Sequence, residues 1–305
     1  MNSENGAIEM DENKDFQLEL DRLLSGSIVP GESQTEAGWH SLWMGSTVSD
    51  HAPLVVSLVG GALADRLAWV FHAGYQGMIR CAFPFCPREG WASYLVAEDK
   101  TGEKPGTVIT KSEARVSLSG FKNWVAASEH VNHLFVRVRC PDEDIVVLVD
   151  SDEPGVKLNS RDETGFLAEL SQGYALFEDV TVRDDRVITA GDLPANFALS
   201  EPHHVLTSLN AFMISHTIRL DGDPETVSAA GSALQLAGDL IRLSGDDFLL
   251  GIADFDAVTT ENARQFEEFV KSRDNELFQR WQRDHGLINM FSRGLQKKAS
   301  QLLEQ

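Results

Sequence analysis

Three cysteines are the first residues of this sequence that could support chemistry. Cys81 and Cys86 are close enough in sequence to offer two thiolates to one metal ion, whereas Cys140 lies far downstream. No His or Cys pair at ligand spacing follows them, so a four-ligand zinc site lacks its second half. An odd number of cysteines in apolar runs is typical of a reducing cytoplasm, and we therefore expect a cytoplasmic protein without a disulfide framework.

Two residue pairs could also serve a ligand. Gly60-Gly61 lies within an apolar stretch, but no basic residue follows where a phosphate loop needs one. Close packing between helices explains these glycines better. His203-His204 precedes a segment with helical periodicity, and we interpret the pair as capping or solvated rather than as metal ligands. The sequence therefore predicts no metal site.

The charge balance excludes two classes of partner. The 305 residues carry 26 basic and 47 acidic side chains, a net charge of -21. Such a charge repels nucleic acids and anionic membrane surfaces, so we expect neither as a partner. No run of about 20 apolar residues is present for a membrane span. The acidic, polar stretch from Met1 to Lys14 does not resemble a secretion signal.

The periodicity of apolar residues divides the chain into three parts. Helical spacing dominates from Ser49 to Ala73, after a polar start that we expect to be disordered to about Glu12. From Met78 the apolar runs become short and are separated by turn residues, which indicates β-strands, the first over residues 79–85. Helical periodicity returns after Pro194. It predicts four helices over residues 205–220, 225–243, 260–273 and 276–303.

These patterns predict a multidomain protein with α and β parts. Residues 1–77 form an N-terminal helical domain with a disordered start. Residues 78–190 form a middle antiparallel β-barrel or sandwich, because several short strands follow one another without helices between them. Residues 195–305 form a C-terminal antiparallel helical bundle.

Three short strings carry a family resemblance. Residues 118–126 read LSGFKNWVA, residues 177–182 read FEDVTV, and residues 280–284 read RWQRD. In this order they resemble the L-x-G-x-K-x-W-I-T, F-x-D-V-x-V-P and C-terminal R-x-x-R-D strings of the flavin-dependent acyl-CoA dehydrogenase family. Together with the order of helices, strands and helices, they make the chain similar to a short and divergent member of that family.

The resemblance implies a flavoprotein. Members of the family bind FAD between the β-domain and the C-terminal bundle, usually in homo-oligomers, with an acyl-CoA thioester against the flavin. A Glu takes the α-proton while hydride leaves the β-carbon, so the site needs a desolvated carboxylate and donors to the thioester oxygen. The resemblance places flavin contacts at Trp124 and at the position of Ala126.

The sequence departs from the family at the positions that carry this chemistry. The family loop T-E-P-x-A-G-S-D is replaced by CPREGWAS over residues 86–93. Ala126 lacks the hydroxyl that Thr or Ser offers the flavin. Alignment of Arg283-Asp284 with the family's R-D puts Ser292 at the position of the base. Some family members carry the base on the first C-terminal helix. The helix predicted here over residues 205–220 contains no Glu or Asp. The sequence therefore assigns no catalytic residue.

Two hypotheses follow. In the first, the chain keeps the fold but has lost the base and much of the flavin site. It then acts as a non-catalytic partner subunit, in a homo-oligomer or with a related chain, or as a module that binds acyl thioesters. In the alternative, it is an FAD-dependent oxidoreductase acting on the CH–CH group of an acyl-CoA. Trp124 is a core aromatic in the first and a flavin contact in the second, and Arg283-Asp284 is an ion pair in both.

Overall fold

A computed structural model describes residues 4–111, 115–162, 165–189, 191, 193–194 and 196–304, with side chains from Glu12 onward. The chain forms two compact units. The helical unit comprises Met1–Gln34, Ser41–Ala82 and Ala195–Gln305, and the β unit comprises Thr35–His40 and Phe83–Pro194. Helices, strands and helices follow one another along the chain, which confirms the predicted fold class. Among the described helices, none is both long and apolar enough to cross a bilayer.

The N-terminal helices cover more of the chain than the helical stretch predicted from Ser49 to Ala73. They are α1 (Glu4–Leu24), α2 (Glu36–Met44), α3 (Pro53–Leu63) and α4 (Leu67–Ala82). The prediction of a disordered start was wrong from Glu4 onward, because α1 begins there. The prediction of a strand over residues 79–85 was also wrong, since α4 continues to Ala82. Nearly every residue of α4 is buried, so its sequence lacks the polar face that distinguishes a helix from a strand.

The C-terminal helices differ from the prediction in number and bounds. They are α5 (Phe197–Arg219), α6 (Pro224–Leu240), α7 (Gly245–Arg273), α8 (Asn275–Asp284) and α9 (Ser292–Leu303). Helix α5 begins eight residues before the predicted start and includes Pro202. Helix α7 begins fifteen residues early, and Phe248, Ile252 and Phe255 continue its buried stripe toward the N-terminus. The last helix, predicted over residues 276–303, is divided into α8 and α9, because a 3₁₀ turn follows Asp284.

Glycines bring helices α3, α4 and α5 together at backbone distance. A Cβ atom on Gly61 would lie 2.3 Å from the carbonyl oxygen of Ser208, and one on Gly74 would lie 2.5 Å from the Cα of Val205. The Ser208 hydroxyl also donates a hydrogen bond to the Ser57 carbonyl at 2.8 Å. Real Cβ atoms do not approach backbone atoms so closely, so only glycine fits there. The interpretation of Gly60-Gly61 as a packing feature is confirmed.

The β unit is a sandwich of two four-stranded sheets. The strands are β1 (Trp91–Leu95), β2 (Val108–Lys111), β3 (Val116–Ala126), β4 (Val131–Val138), β5 (Ile145–Asp150), β6 (Val156–Ser160), β7 (Gln172–Val182) and β8 (Val187–Thr189). One sheet has the order β1-β4-β5-β8 and the other the order β2-β3-β7-β6. Neighbouring strands are antiparallel except β1 and β4, which are parallel. Apolar side chains of both sheets share one core, including Val136, Val147, Leu118 and Phe177.

Candidate functional site

Two residues of the string on β3 stabilise the β unit itself. Gly120 has φ +125°, and a Cβ atom there would lie 2.3 Å from the Gly106 carbonyl oxygen. The Lys122 side chain is only 1% exposed; its ammonium lies 3.0 Å from the Glu98 carboxylate and 3.3 Å from the Val96 carbonyl oxygen. The Gly and Lys that carry much of the resemblance therefore have structural roles in this chain.

Burial and mutual attraction act in opposite directions on the pKa values of Lys122 and Glu98. Burial favours the neutral form of both groups, and it lowers the pKa of Lys122 although Glu98 acts to raise it. Burial also acts to raise the pKa of Glu98, but the hydrogen bond and charge of Lys122 hold this pKa below its ordinary value. Glu98 therefore supplies the charge that lets an ammonium remain in the β unit.

We expect Glu98→Ala to lower the free energy of unfolding by about 2 kcal/mol, because it leaves the buried ammonium without its counter-charge. The double variant Glu98→Ala/Lys122→Met should recover most of that loss, since it removes the buried charge altogether. Urea denaturation of the wild type and of each variant measures both effects. Equal losses in the single and double variants would contradict this account of the pair.

The two positions that the resemblance assigns to FAD have their hydrogen-bonding groups engaged within the β unit. The Trp124 indole N–H donates to Gln172 Oε1 at 3.2 Å, and the side chain is half-buried. The Ala126 backbone N–H donates to the hydroxyl of the buried Ser93 at 3.2 Å. The indole N–H of Trp124 is therefore already used, and Ala126 has no side-chain hydroxyl to offer a flavin ring.

The segment over residues 86–93, of which the last three residues begin β1, is fixed by β4. The Trp91 N–H donates to Asn132 Oδ1 at 3.0 Å, and the Trp91 side chain is fully buried. His133 Nε2 donates to the Glu89 carbonyl oxygen at 2.9 Å. Gly90 has φ +79°, and a Cβ atom there would meet Asn132 at 2.4 Å. These backbone groups are engaged inside the β unit, so this segment does not offer them to a flavin.

Ser292, at the position of the family base, is paired with a buried carboxylate. Its hydroxyl donates to Asp256 Oδ1 at 2.7 Å, and Gln296 Nε2 donates to Asp256 Oδ2 at 3.3 Å. Asp256 lies on α7 and is 1% exposed. Nothing in the sequence pointed to Asp256, because it lies 36 residues from its partner in a helix whose first half was not predicted. Ser292 acts here as a donor, which is the opposite of the role of a base.

The first C-terminal helix does contain a carboxylate, contrary to the sequence prediction. Helix α5 includes Glu201, which stands just before Pro202. Glu201 is half-buried, and burial raises its pKa above the ordinary value. The predicted helix began at residue 205, whereas α5 begins at Phe197 and continues through Pro202, a residue type that normally marks a helix boundary. A desolvated carboxylate with raised basicity has the property that a general base needs.

His203 and His204 are buried rather than solvated, so that prediction was wrong. His203 Nε2 donates to the Ala237 carbonyl oxygen at 2.9 Å, and His204 Nδ1 lies 2.7 Å from the Ser57 hydroxyl. Burial lowers the pKa of His203 to about 4 and that of His204 well below its ordinary value. Both rings are therefore neutral near pH 7 and fill the interior of the helical unit.

The remaining predicted groups also have structural surroundings. Arg283 and Asp284 form the expected ion pair at the end of α8, with Asp284 fully buried. Burial raises the pKa of Cys81, at the end of α4, to about 11, so its thiol stays protonated at neutral pH. Cys86 is buried in the following loop.

Comparison with known proteins identifies the fold. No family model matches the sequence, and no significantly similar curated protein is found. Among solved structures, butyryl-CoA dehydrogenase from Megasphaera elsdenii is similar with a TM-score of 0.62 and 11% identity, over 98% of either chain. PigA with FAD and proline gives 0.64 and 12% identity, over 100% of this chain and 98% of PigA. An FAD-dependent dehydrogenase gives 0.63 and 12%, over 96% and 98% of the two chains.

Proposed function

We propose that this chain, which has the fold of the acyl-CoA dehydrogenases, is a non-catalytic subunit that no longer uses a flavin. The proposal depends chiefly on one observation: the donors of Trp124 and Ala126 are satisfied by Gln172 and Ser93 within the β unit. The Trp91 N–H of the replaced loop is likewise satisfied, by Asn132. A flavin could gain these contacts only by breaking existing ones, which reduces the net benefit of binding.

Charge and the position of Ser292 support the same proposal. FAD and coenzyme A are both polyanionic, and the chain has a net charge of -21. The hydroxyl of Ser292 is used in a bond to Asp256, so the side chain at the position of the family base acts as a donor. What remains is a scaffold able to associate with copies of itself or with a related chain.

Flavin content tests the proposal. We expect the purified protein to be colourless and to show no change in the flavin absorbance or fluorescence of added FAD, because the donors described above are already used. Flavin released after denaturation, measured by chromatography, should be far below one per chain. A yellow protein, or saturable uptake of about one FAD per chain, would overturn the proposal.

Glu201 favours a second candidate, an FAD-dependent oxidoreductase acting on acyl-CoA. Its raised pKa suits proton abstraction from a carbon acid. If flavin is bound and an acyl-CoA reduces it, Glu201→Gln should abolish that reduction while flavin remains bound. Glu225→Gln, at an exposed carboxylate in the first turn of α6, is the matched control and should leave reduction unchanged. Reduction that survives in Glu201→Gln would exclude Glu201 as the base.

Self-association is part of the proposal. Light scattering of the purified chain should give a mass of at least twice the monomer mass, since the retained scaffold would bind further copies of the chain. A strictly monomeric chain would remove the homo-oligomer from the proposal and leave only association with a related chain.

A further inference from the structure

A polar cavity of about 230 Å³ opens in the helical unit. It is lined by the loop before Thr35, the segment before α4, the end of α5 and the start of α8. The lining carries four carboxylates and two guanidiniums, from Glu32, Asp65, Asp274, Glu276, Arg219 and Arg280. A space of this volume accommodates a small molecule as well as water.

Arg219 has its partners within the protein. Its guanidinium Nη2 donates to Asp274 at 3.0 Å and lies 3.3 Å from His216 Nδ1. Burial lowers the pKa of His216 to about 4, so this ring is neutral and accepts from Arg219 while its Nε2 donates to Ala64. Arg219 and His216 therefore line the cavity with groups that already have hydrogen-bond partners.

Arg280 is different, because among the described residues it has no hydrogen-bond partner. Its Nη1 atom lies 3.4 Å from Glu276 and 3.6 Å from Asp65, distances of loose ion pairs. Its Nε atom is buried and unpaired, although the side chain as a whole is 23% exposed. A buried donor without an acceptor costs about 1–3 kcal/mol. A guanidinium in this state is suited to turn onto a carboxylate, which its planar fork binds with two hydrogen bonds.

The carboxylates of the lining are not equivalent. Asp65 is buried and is held by the fork of Arg66 at 3.1 and 2.8 Å, so it has little capacity left for Arg280. Glu32 is exposed, and it has no ion-pair partner among the described residues. Within the described lining, the Glu32 carboxylate therefore has no cation paired with it, and the Arg280 guanidinium makes no hydrogen bond to an acceptor.

We propose that this cavity binds a small zwitterion of the α-amino acid class. Its carboxylate pairs with Arg280 and its ammonium with Glu32 and Glu276. A simple anion is disfavoured because the lining and the whole chain are negatively charged, and a simple cation leaves Arg280 unsatisfied. The site lies in the helical unit and uses none of the groups discussed for the flavin, so it is independent of the proposed function.

Calorimetric titration of the full chain tests the inference, using each of the twenty common L-amino acids, with acetate and methylammonium as half-ligands. We expect at least one amino acid to bind and both half-ligands to bind far more weakly. Arg280→Gln should weaken binding roughly ten- to a hundredfold, the value of a charge-assisted hydrogen-bond pair. Glu32→Gln should weaken it by a smaller factor, and Arg264→Gln, at an exposed arginine on α7, should leave it unchanged.

Three results would overturn the inference. They are no binding by any of the twenty amino acids, acetate or methylammonium binding as tightly as the best amino acid, or unchanged affinity in a folded Arg280→Gln variant. If Arg280→Gln fails to fold, Glu32→Gln decides instead, because this side chain is exposed and makes no ion pair with the part of the chain that the structure describes. Unchanged affinity in Glu32→Gln would then reject the pairing of an ammonium in the cavity.

Discussion

We expect the helical unit to lose several kcal/mol of unfolding free energy as the pH falls from about 6.5 toward 4. The cause is a set of buried histidines on α5. Burial lowers the pKa of His203 and His216 to about 4, from an ordinary value of 6.5, and lowers that of His204 further. For the first two, the shift corresponds to about 3 kcal/mol each.

The direction follows from which state takes up protons first. Unfolded chains protonate these rings near the ordinary histidine pKa, whereas the folded chain resists protonation until about pH 4. Stability is therefore fully present above about pH 6.5 and is lost as the pH falls through this window. Glu201 acts in the opposite direction, because its raised pKa favours protonation in the folded state. This single carboxyl offsets only part of the destabilisation from the three histidines.

Urea denaturation across the window measures the effect. The free energy of unfolding should fall with a slope that corresponds to the uptake of two or three protons on unfolding. In His203→Gln this uptake should be smaller by about one proton. Arg242→Gln is a control for the change in charge, since arginine does not titrate in this range. A flat profile between pH 6.5 and 4.5, or a His203→Gln profile parallel to the wild type, would show that these rings are not held neutral by the fold.

The histidines illustrate which parts of the fold a single sequence can predict. The sandwich was predictable because β3, β4, β5 and β7 each alternate or run apolar between turn residues. Helix α4 was partly misread because burial around its whole circumference removes the polar face that marks a helix. His203 and His204 were misread for a related reason: the surroundings that bury them come from distant residues such as Ser57 and Ala237.

The candidate sites show the same limit. The string on β3 was found, yet its sequence did not reveal that Lys122 pairs with Glu98 or that Ser93 engages the Ala126 N–H. Glu201 was missed because α5 begins eight residues before the start that the periodicity predicted, and it continues through Pro202. The polar cavity was out of reach altogether, since its lining is assembled from four segments separated by tens to hundreds of residues.

The second large effect concerns Gly61, where we expect Gly61→Ala to cost about 3 kcal/mol or more of unfolding free energy. The added methyl group would lie 2.3 Å from the Ser208 carbonyl oxygen and 2.5 Å from the Ser208 Cα atom. These are backbone atoms of α5 and cannot turn away as a side chain can, so α3 and α5 must separate. Alanine favours a helix over glycine by about 1 kcal/mol, which is too little to offset that separation.

Gly294→Ala is the matched control. Gly294 lies exposed in α9, and a Cβ atom there would meet nothing within 4 Å. The same change should therefore raise the free energy of unfolding by about 0.5–1 kcal/mol, through helix propensity alone. Denaturation curves of the two variants should thus shift in opposite directions. If Gly61→Ala were as stable as the wild type, helices α3 and α5 would separate at little cost, and the backbone contact at Gly61 would not be a source of stability.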